Sequence, residues 1–135
     1  MTDCIFCKII AGEIPTDKFY EDDDVIAFMD IRPVSRGHSL VVPKKHSEDI
    51  LDAEEAVLHK TILVTRKVSH AIMKAVGANS FTISTNRGAD AGQTVFHLHF
   101  HIIPRLKKDD LPPWPHHDVE PKSRKELAEL IKKNL

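Results

Sequence analysis

The chain of 135 residues has little of several things, and each shortage excludes something. It has two cysteines, Cys4 and Cys7, too few for a disulfide-stapled secreted scaffold. It has five glycines and eight prolines, so it is neither collagen-like nor a low-complexity chain. Aromatic residues make up 6%, with one tryptophan and one tyrosine. No apolar run approaches the roughly 18 residues that a membrane-spanning helix needs. The N-terminus lacks a basic segment followed by a long apolar one, so no signal peptide is expected and a cytoplasmic location is. Neither sign of charge dominates: 19 Lys and Arg face 20 Asp and Glu, a formal net charge of −1. No field is large enough to hold a nucleic-acid backbone.

What is present fits one α+β domain over residues 1–135, with residues 110–135 as a proline-rich linker and terminal helix. Cys4–Ile10 reads as a helical turn. Lys18–Tyr20, Val25–Met29, His38–Pro43, Phe81–Asn86 and Val95–Ile103 read as strands, the last closed by Pro104. Glu54–Val76 reads as a long helix with the apolar stripe Val57, Val64, Val68, Ala71 and Ala75, stopped by Gly77. Ser123–Asn134 reads as a second helix, with Ser123 and Glu126 as a capping box. Strands come in runs rather than alternating with helices, which predicts an antiparallel sheet.

Nine histidines are present, and three of them alternate with apolar residues in Phe96-His97-Leu98-His99-Phe100-His101. That is the period of a half-buried strand, with Leu98, Phe100 and Ile102 toward the core and the imidazoles toward a cleft. At about 3.3 Å per residue, His97 and His101 stand roughly 13 Å apart and can hardly share one cation, although neighbours could. His99 and His101 are spaced to flank one phosphate, one attacking and one hydrogen-bonding. A neutral imidazole is nucleophilic near pH 7.

The Cys4-x-x-Cys7 pair has three readings: a disulfide, a redox pair, or half of a zinc site. A cytoplasmic chain disfavours the first. The absence of a βαβ pattern disfavours the second. The third needs two further ligands.

The run His97-Leu-His-Phe-His-Ile-Ile103, with Gly92-Gln-Thr before it, resembles the signature of the histidine-triad (HIT) family. The resemblance extends in order through Cys4-Ile-Phe-Cys7, Gly12-Glu-Ile-Pro15, Ala27-Phe-Met-Asp-Ile31, Gly37-His-Ser-Leu-Val-Val-Pro-Lys-Lys-His46 and Asn86-Arg-Gly88. It implies the HIT fold, a five-stranded antiparallel sheet with one long helix and a C-terminal helix. It also implies cleavage of a nucleoside monophosphate from a phosphoramidate, ester or anhydride through a nucleotidyl-histidine.

In that scheme His99 is the nucleophile, with its Nδ1 proton given to the His97 carbonyl. His101 stands on the phosphate and leaving-group side. His38 counts as a fourth catalytic histidine, or as a structural one. Asn86, Gly92, Gln93 and Thr94 contact the α-phosphate and nucleotide. Asp30 accepts from the ribose hydroxyls, or caps a turn. Phe6, Ile9, Phe28 and Ile31 form the base slot, although composition alone reads them as core. Cys4, Cys7, His46 and His97 hold a structural zinc, and the chemistry itself needs no metal.

A purine nucleotide substrate, AMP by preference, and a homodimer built on the long helix and a strand are also implied. Thr94 stands where several phosphoramidases of the family have serine. Arg87 adds a cation that would suit polyphosphates. The 34-residue tail with Trp114 leaves the branch open. The readings that remain are a phosphoramidase, a dinucleoside polyphosphate hydrolase and a non-catalytic zinc-bearing nucleotide module.

Overall fold

The computed structural model describes residues 3–135. The reading of the extreme N-terminus falls partly on Met1 and Thr2, outside the described residues. A short helix α1 (Ile5–Ile10) opens the chain, and β1 (Lys18–Glu21), β2 (Val25–Met29) and β3 (Ser39–Pro43) follow. The long helix α2 (Glu55–Val76) then leads to β4 (Ser80–Ser84), a 3₁₀ turn (Ala89–Ala91), β5 (Phe100–Arg105) and α3 (Pro121–Lys133). The sheet runs β1-β2-β3-β5-β4 with every pair antiparallel. Among the described residues no helix is long and apolar enough to cross a membrane.

The two faces of the sheet have different jobs. One carries Val25, Ala27, Val41, Leu98, Phe100 and Ile102 against Val64, Val68 and Ile72 of α2. The other carries Ile26, Phe28, Leu40 and Val42 against Phe6 of α1. β2 and β3 are therefore buried on both faces, and their nearly unbroken apolar runs follow from that. The α2 stripe differs from the expected one. Val64 and Val68 are buried as expected, but Ala71 and Ala75 face solvent. Thr61, Thr65, Ser69 and Ile72 complete the buried face instead. Each hydroxyl donates to the carbonyl one turn back, on Val57, Thr61 and Thr65 at 2.6–2.8 Å. A satisfied hydroxyl packs like a small apolar group, so a hydrophobicity pattern misses it.

The element ends also move. α2 starts one residue later than expected, with Glu54 as its N-cap, and ends as predicted on left-handed Gly77, whose N–H reaches the Met73 carbonyl. α3 starts at Pro121, whose fixed φ suits the first helical position, so Ser123 lies inside the helix and caps nothing. Pro104 lies within β5 rather than closing it. Its carbonyl accepts from Ser35 Oγ on the side where β3 has already ended, so the missing N–H breaks no ladder bond.

Residues 95–99 are not a ladder strand. Their backbone groups are claimed elsewhere: the Leu98 N–H by the Ser47 carbonyl, the His99 carbonyl by Thr85 Oγ1, and the His97 carbonyl by the His99 ring. Gly37 (φ +92°) passes so close to α2 that a Cβ there would meet Val76 Cγ1 at 2.9 Å and Pro104 Cγ at 3.1 Å. Glycine there lets the loop turn tightly into His38.

Candidate active site and metal cluster

Three of the site's four key histidines have their proton placed by a main-chain group. His99 is buried, and its Nδ1 lies 2.7 Å from the His97 carbonyl oxygen. A carbonyl can only accept, so Nδ1 carries the proton and Nε2 keeps its lone pair. His97 is fully buried, and its Nε2 lies 2.7 Å from the Pro43 carbonyl. Its Nδ1 is therefore the free lone pair.

His38 works the other way round. The Val34 N–H donates to His38 Nδ1 at 3.0 Å, which puts the His38 proton on Nε2. That proton points at His101 Nδ1, 2.9 Å away. His101 consequently carries its own proton on Nε2. Asp30 Oδ2 stands 3.5 Å from His38 Nε2, while Asp30 Oδ1 accepts from the Arg32 N–H at 2.8 Å. The expected triad thus comes together with the fourth histidine: the His99 and His101 rings are 5.0 Å apart, and those of His38 and His101 5.2 Å. A nucleophilic nitrogen and an N–H donor stand side by side on the face opposite α2.

Burial keeps these rings neutral. It pushes His101 down to about 4, with the neighbouring His99 and His38 adding to the effect. Burial lowers His99 as well, opposed by its bond to the His97 carbonyl, and lowers His38 against the pull of Asp30. An unfolded chain protonates His101 near the usual 6.5, whereas the folded chain resists until about 4. Between these values the unfolded state binds more protons, so stability rises with pH through this window and is lost as pH falls through it. The urea midpoint is expected to fall between pH 7 and pH 5, and His101→Gln to flatten that slope. Equal slopes in the two proteins would count against it.

The loop before the triad is built around Gln93, which is buried. Its Oε1 accepts from the Gly88 N–H at 2.8 Å. Its Nε2 donates to the carbonyls of Glu48 and Val95 at 2.8 and 3.1 Å. The Gln93 side chain therefore shapes the loop from within. Gly92 is left-handed (φ +89°), and the Asn86 amide nitrogen lies beside it. Thr94 is exposed. Arg87 reaches Asp49, with Nε 3.4 Å from Oδ2.

Of the expected base slot, Phe6 and Phe28 are buried edge-to-face at 5.7 Å with Ile9 packed beside them, whereas Ile31 projects 85% exposed into solvent. Phe6 also sits edge-on to the His99 ring at 5.0 Å and so fixes its plane.

Cys4, Cys7, His46 and His97 converge behind the triad. His97 Nδ1 lies 3.3 Å from Cys4 Sγ, 3.6 Å from Cys7 Sγ and 3.1 Å from His46 Nδ1, and Cys7 Sγ lies 3.4 Å from His46 Nδ1. A tetrahedral ion with bonds of about 2.3 Å to sulfur and 2.05 Å to nitrogen requires edges of about 3.3–3.8 Å. The donor set fits, and the His97 lone pair points the right way because Pro43 holds the opposite nitrogen. These four residues can hold a metal ion. Burial beside the Cys4 thiol pushes Cys7 up to about 11, and a cation between the sulfurs would reverse that.

Asp30, His38 and His101 also converge. They form a poor metal site, since the Val34 N–H holds the His38 proton on the very nitrogen that would have to ligate. His38 and His101 form a hydrogen-bonded pair, with the Asp30 carboxylate close to it but bonded to the Arg32 N–H instead.

The family resemblance points to the His97 carbonyl as the acceptor from His99, and the structure has that bond. Sequence reasoning missed the Val34 N–H and the Pro43 carbonyl, main-chain atoms that leave no mark in residue type. Thr85 left a weak signal, a hydroxyl at a strand end just before Asn86.

An antiparallel sheet that presents an imidazole with a free Nε2 lone pair and a neighbouring N–H donor beside a glycine-bearing loop is an arrangement that can carry group transfer. The chain belongs to the HIT family: the family model described as "HIT domain" matches residues 11–108. It is similar to the protein named adenylylsulfatase HINT3 from Arabidopsis thaliana, at 46% identity over 109 residues, which cover 81% of this chain and 55% of that protein. It is also similar to adenosine 5'-monophosphoramidase hnt1 from Schizosaccharomyces pombe, at 36% identity covering 98% of each. Among solved structures, SMU.412c from Streptococcus mutans matches 99% of this chain and 86% of its own with a TM-score of 0.94 at 40% identity. A zinc-bound histidine triad family protein from Mycobacterium smegmatis matches 98% of each with a TM-score of 0.78 at 34% identity.

Proposed function

We propose that the protein is a nucleotide hydrolase that releases AMP from an adenosine 5'-phosphoramidate by double displacement. The observation that carries this reading is the 2.7 Å bond from His99 Nδ1 to the His97 carbonyl, which frees His99 Nε2 beside His101. Two of the relatives described above are named for adenylyl chemistry.

His99 Nε2 attacks the α-phosphorus. The phosphorus–nitrogen bond breaks, and the departing amine takes up a proton on the side where the His101 Nε2–H stands. The His97 carbonyl supports the positive charge that develops on the His99 ring. Water then attacks the same phosphorus, the bond to His99 breaks, and AMP leaves. Over the cycle one water is consumed, and its proton replaces the one that left with the amine. Asp30 takes the ribose hydroxyls. Asn86, Gly92 and Thr94 line the phosphate on a loop that Gln93 holds in shape. Phe6, Ile9 and Phe28 back the base.

The polyphosphate alternative leans on Arg87, and the ion pair with Asp49 already engages that guanidinium. The test is kcat/KM for an adenosine 5'-phosphoramidate against diadenosine tetraphosphate on one preparation. The phosphoramidate is expected to be preferred by about 100-fold or more, roughly 2.7 kcal/mol of differential transition-state stabilisation. A preference for the dinucleotide would move the protein to the other branch. Failure of both, with AMP still bound, would favour the non-catalytic module.

In this reading residues 1–135 form a single HIT domain. The metal is zinc, held by Cys4, Cys7, His46 and His97 in a structural role, and the thiolates fit a reducing cytoplasm. The protein is a homodimer. Its β4 is an edge strand, and Ile62, Phe81 and Ile83 are exposed around a cavity of about 340 Å³ between α2 and β4. Sedimentation at micromolar concentration is expected to give twice 15.3 kDa, and the monomer mass would contradict it.

A further inference from the structure

β4 and β5 separate just before the active site. Their ladder runs from Ser80 opposite Arg105 to Ser84 opposite His101 and stops there. Two residues further, the same register would set Asn86 opposite His99. Instead the chain leaves the strand after Ser84, and the half-buried Thr85 sends its hydroxyl across. Thr85 Oγ1 donates to the His99 carbonyl at 2.8 Å. A side chain thus does what the next ladder bond would do. Asn86 turns into the loop, where its amide nitrogen lies beside Gly92.

His99 is held at three points. Its Nδ1 donates to the His97 carbonyl at 2.7 Å, and Phe6 packs edge-on against its ring at 5.0 Å. These two contacts hold the ring. The third, from Thr85, holds the main chain against the strand that leads into the phosphate loop. The residues after Thr85 run straight into that loop. There Arg87 pairs with Asp49, and the Gly88 N–H donates to Gln93 Oε1 at 2.8 Å. The Thr85 hydroxyl therefore ties His99 directly to the strand end from which Asn86 and the loop depart.

The residue type matters for this tie. A β-branched residue suits a strand end, and valine has nearly the same shape as threonine. Valine has no hydrogen to donate, so the His99 carbonyl would lose its donor and the segment its anchor.

We propose that Thr85 is a positioning residue, whose hydroxyl sets how far His99 Nε2 stands from a phosphate held on the Asn86–Thr94 loop. The His97 carbonyl decides which ring nitrogen is free, and Thr85 decides where that nitrogen stands. Displacement of a group at phosphorus tolerates little error in placement, and a misplacement of about 1 Å can cost on the order of 100-fold in rate. The catalytic consequence rests on the hydrolase reading above, and the positioning itself does not.

The test uses the full chain with its metal in place. It compares Thr85→Val, which keeps the shape and removes the donor, with Thr85→Ser, which keeps the donor. Thr85→Val is expected to lower kcat for an adenosine 5'-phosphoramidate at least fivefold, with the dissociation constant of AMP within twofold of the parent. Thr85→Ser is expected to keep at least half of the parent kcat. In ¹⁵N spectra of the imidazole rings, His99 should carry its proton on Nδ1 in all three proteins. Saturating AMP should move the His99 Nε2 resonance at least twice as far in the parent and in Thr85→Ser as in Thr85→Val. A smaller fall in kcat for Thr85→Val would overturn the proposal. So would a Thr85→Ser protein as slow as Thr85→Val, or an AMP affinity that falls in step with the rate. A parent protein without turnover would refute the hydrolase reading, and the AMP-induced shift of Nε2 would then decide. An equal shift in the parent and in Thr85→Val overturns the positioning role, and a halved one sustains it.

Discussion

Replacing His99 with glycine is expected to lower kcat/KM for an adenosine 5'-phosphoramidate by at least about 10⁴, some 5.5 kcal/mol of transition-state stabilisation. The size follows from the role proposed for the residue. A nucleophile that forms the covalent intermediate has no partial substitute, because water must then displace the amine directly. The same change leaves Asp30, the phosphate loop and the metal cluster in place, so AMP binding and metal content should stay near those of the parent. His99 also touches Phe6, so some loss of melting temperature is expected. The discriminating comparison is turnover against AMP affinity. A variant that keeps more than a tenth of the parent activity would remove the covalent mechanism.

The second large effect lies at the metal cluster. Replacing Cys4 and Cys7 together with serine removes both thiolates from a site that joins α1 to the segment after β3 and to the triad segment. Structural zinc sites carry on the order of 10 kcal/mol of apparent binding energy, and whatever part stabilises this fold is lost with the ion. A net loss of about 5 kcal/mol would lower the melting temperature by about 15–20 °C for a chain of this size. Turnover at 15–20 °C is expected to survive in large part, since no reacting atom belongs to the cluster. Metal analysis of the parent, purified without added zinc, should give close to one equivalent per chain. A value well below one would remove zinc from the account, and an unchanged melting temperature in the variant would remove its structural role.

How much of this was legible in the sequence depends on whether the responsible groups were side chains. The histidine alternation, the Cys-x-x-Cys pair and the long helix are side-chain patterns, and the folded chain brings those residues together as the pattern demands. The edges of the pattern were less legible. Residues 95–99 alternate like a strand yet pair with nothing, because Ser47, Thr85 and the His99 ring take the bonds that a neighbouring strand would. Thr61, Thr65 and Ser69 look polar and are buried. Ile31 looks apolar and is exposed. Gln93 was expected at the phosphate, and its side chain is spent on the loop that would hold one. Except for Ile31, a hydrogen bond with a distant or main-chain partner decided the outcome, and residue type does not encode such partners.

The main-chain origin of the proton arrangement has a consequence for how this site tolerates change. A carbonyl remains a carbonyl whatever side chain accompanies it. The anchor at position 97 would persist if its ring were replaced, so the metal-holding duty and the tautomer-setting duty of that one residue can be inherited or lost separately. Position 43 offers its carbonyl with any residue. Position 34 needs only an N–H, which nineteen of the twenty amino acids supply and proline does not. The elements that decide which ring nitrogen stays unprotonated are thus insulated from most point mutations, while the side chains around it remain free to vary. If His99 is the nucleophile, as proposed, substrate range can drift on this scaffold without that group being rebuilt each time.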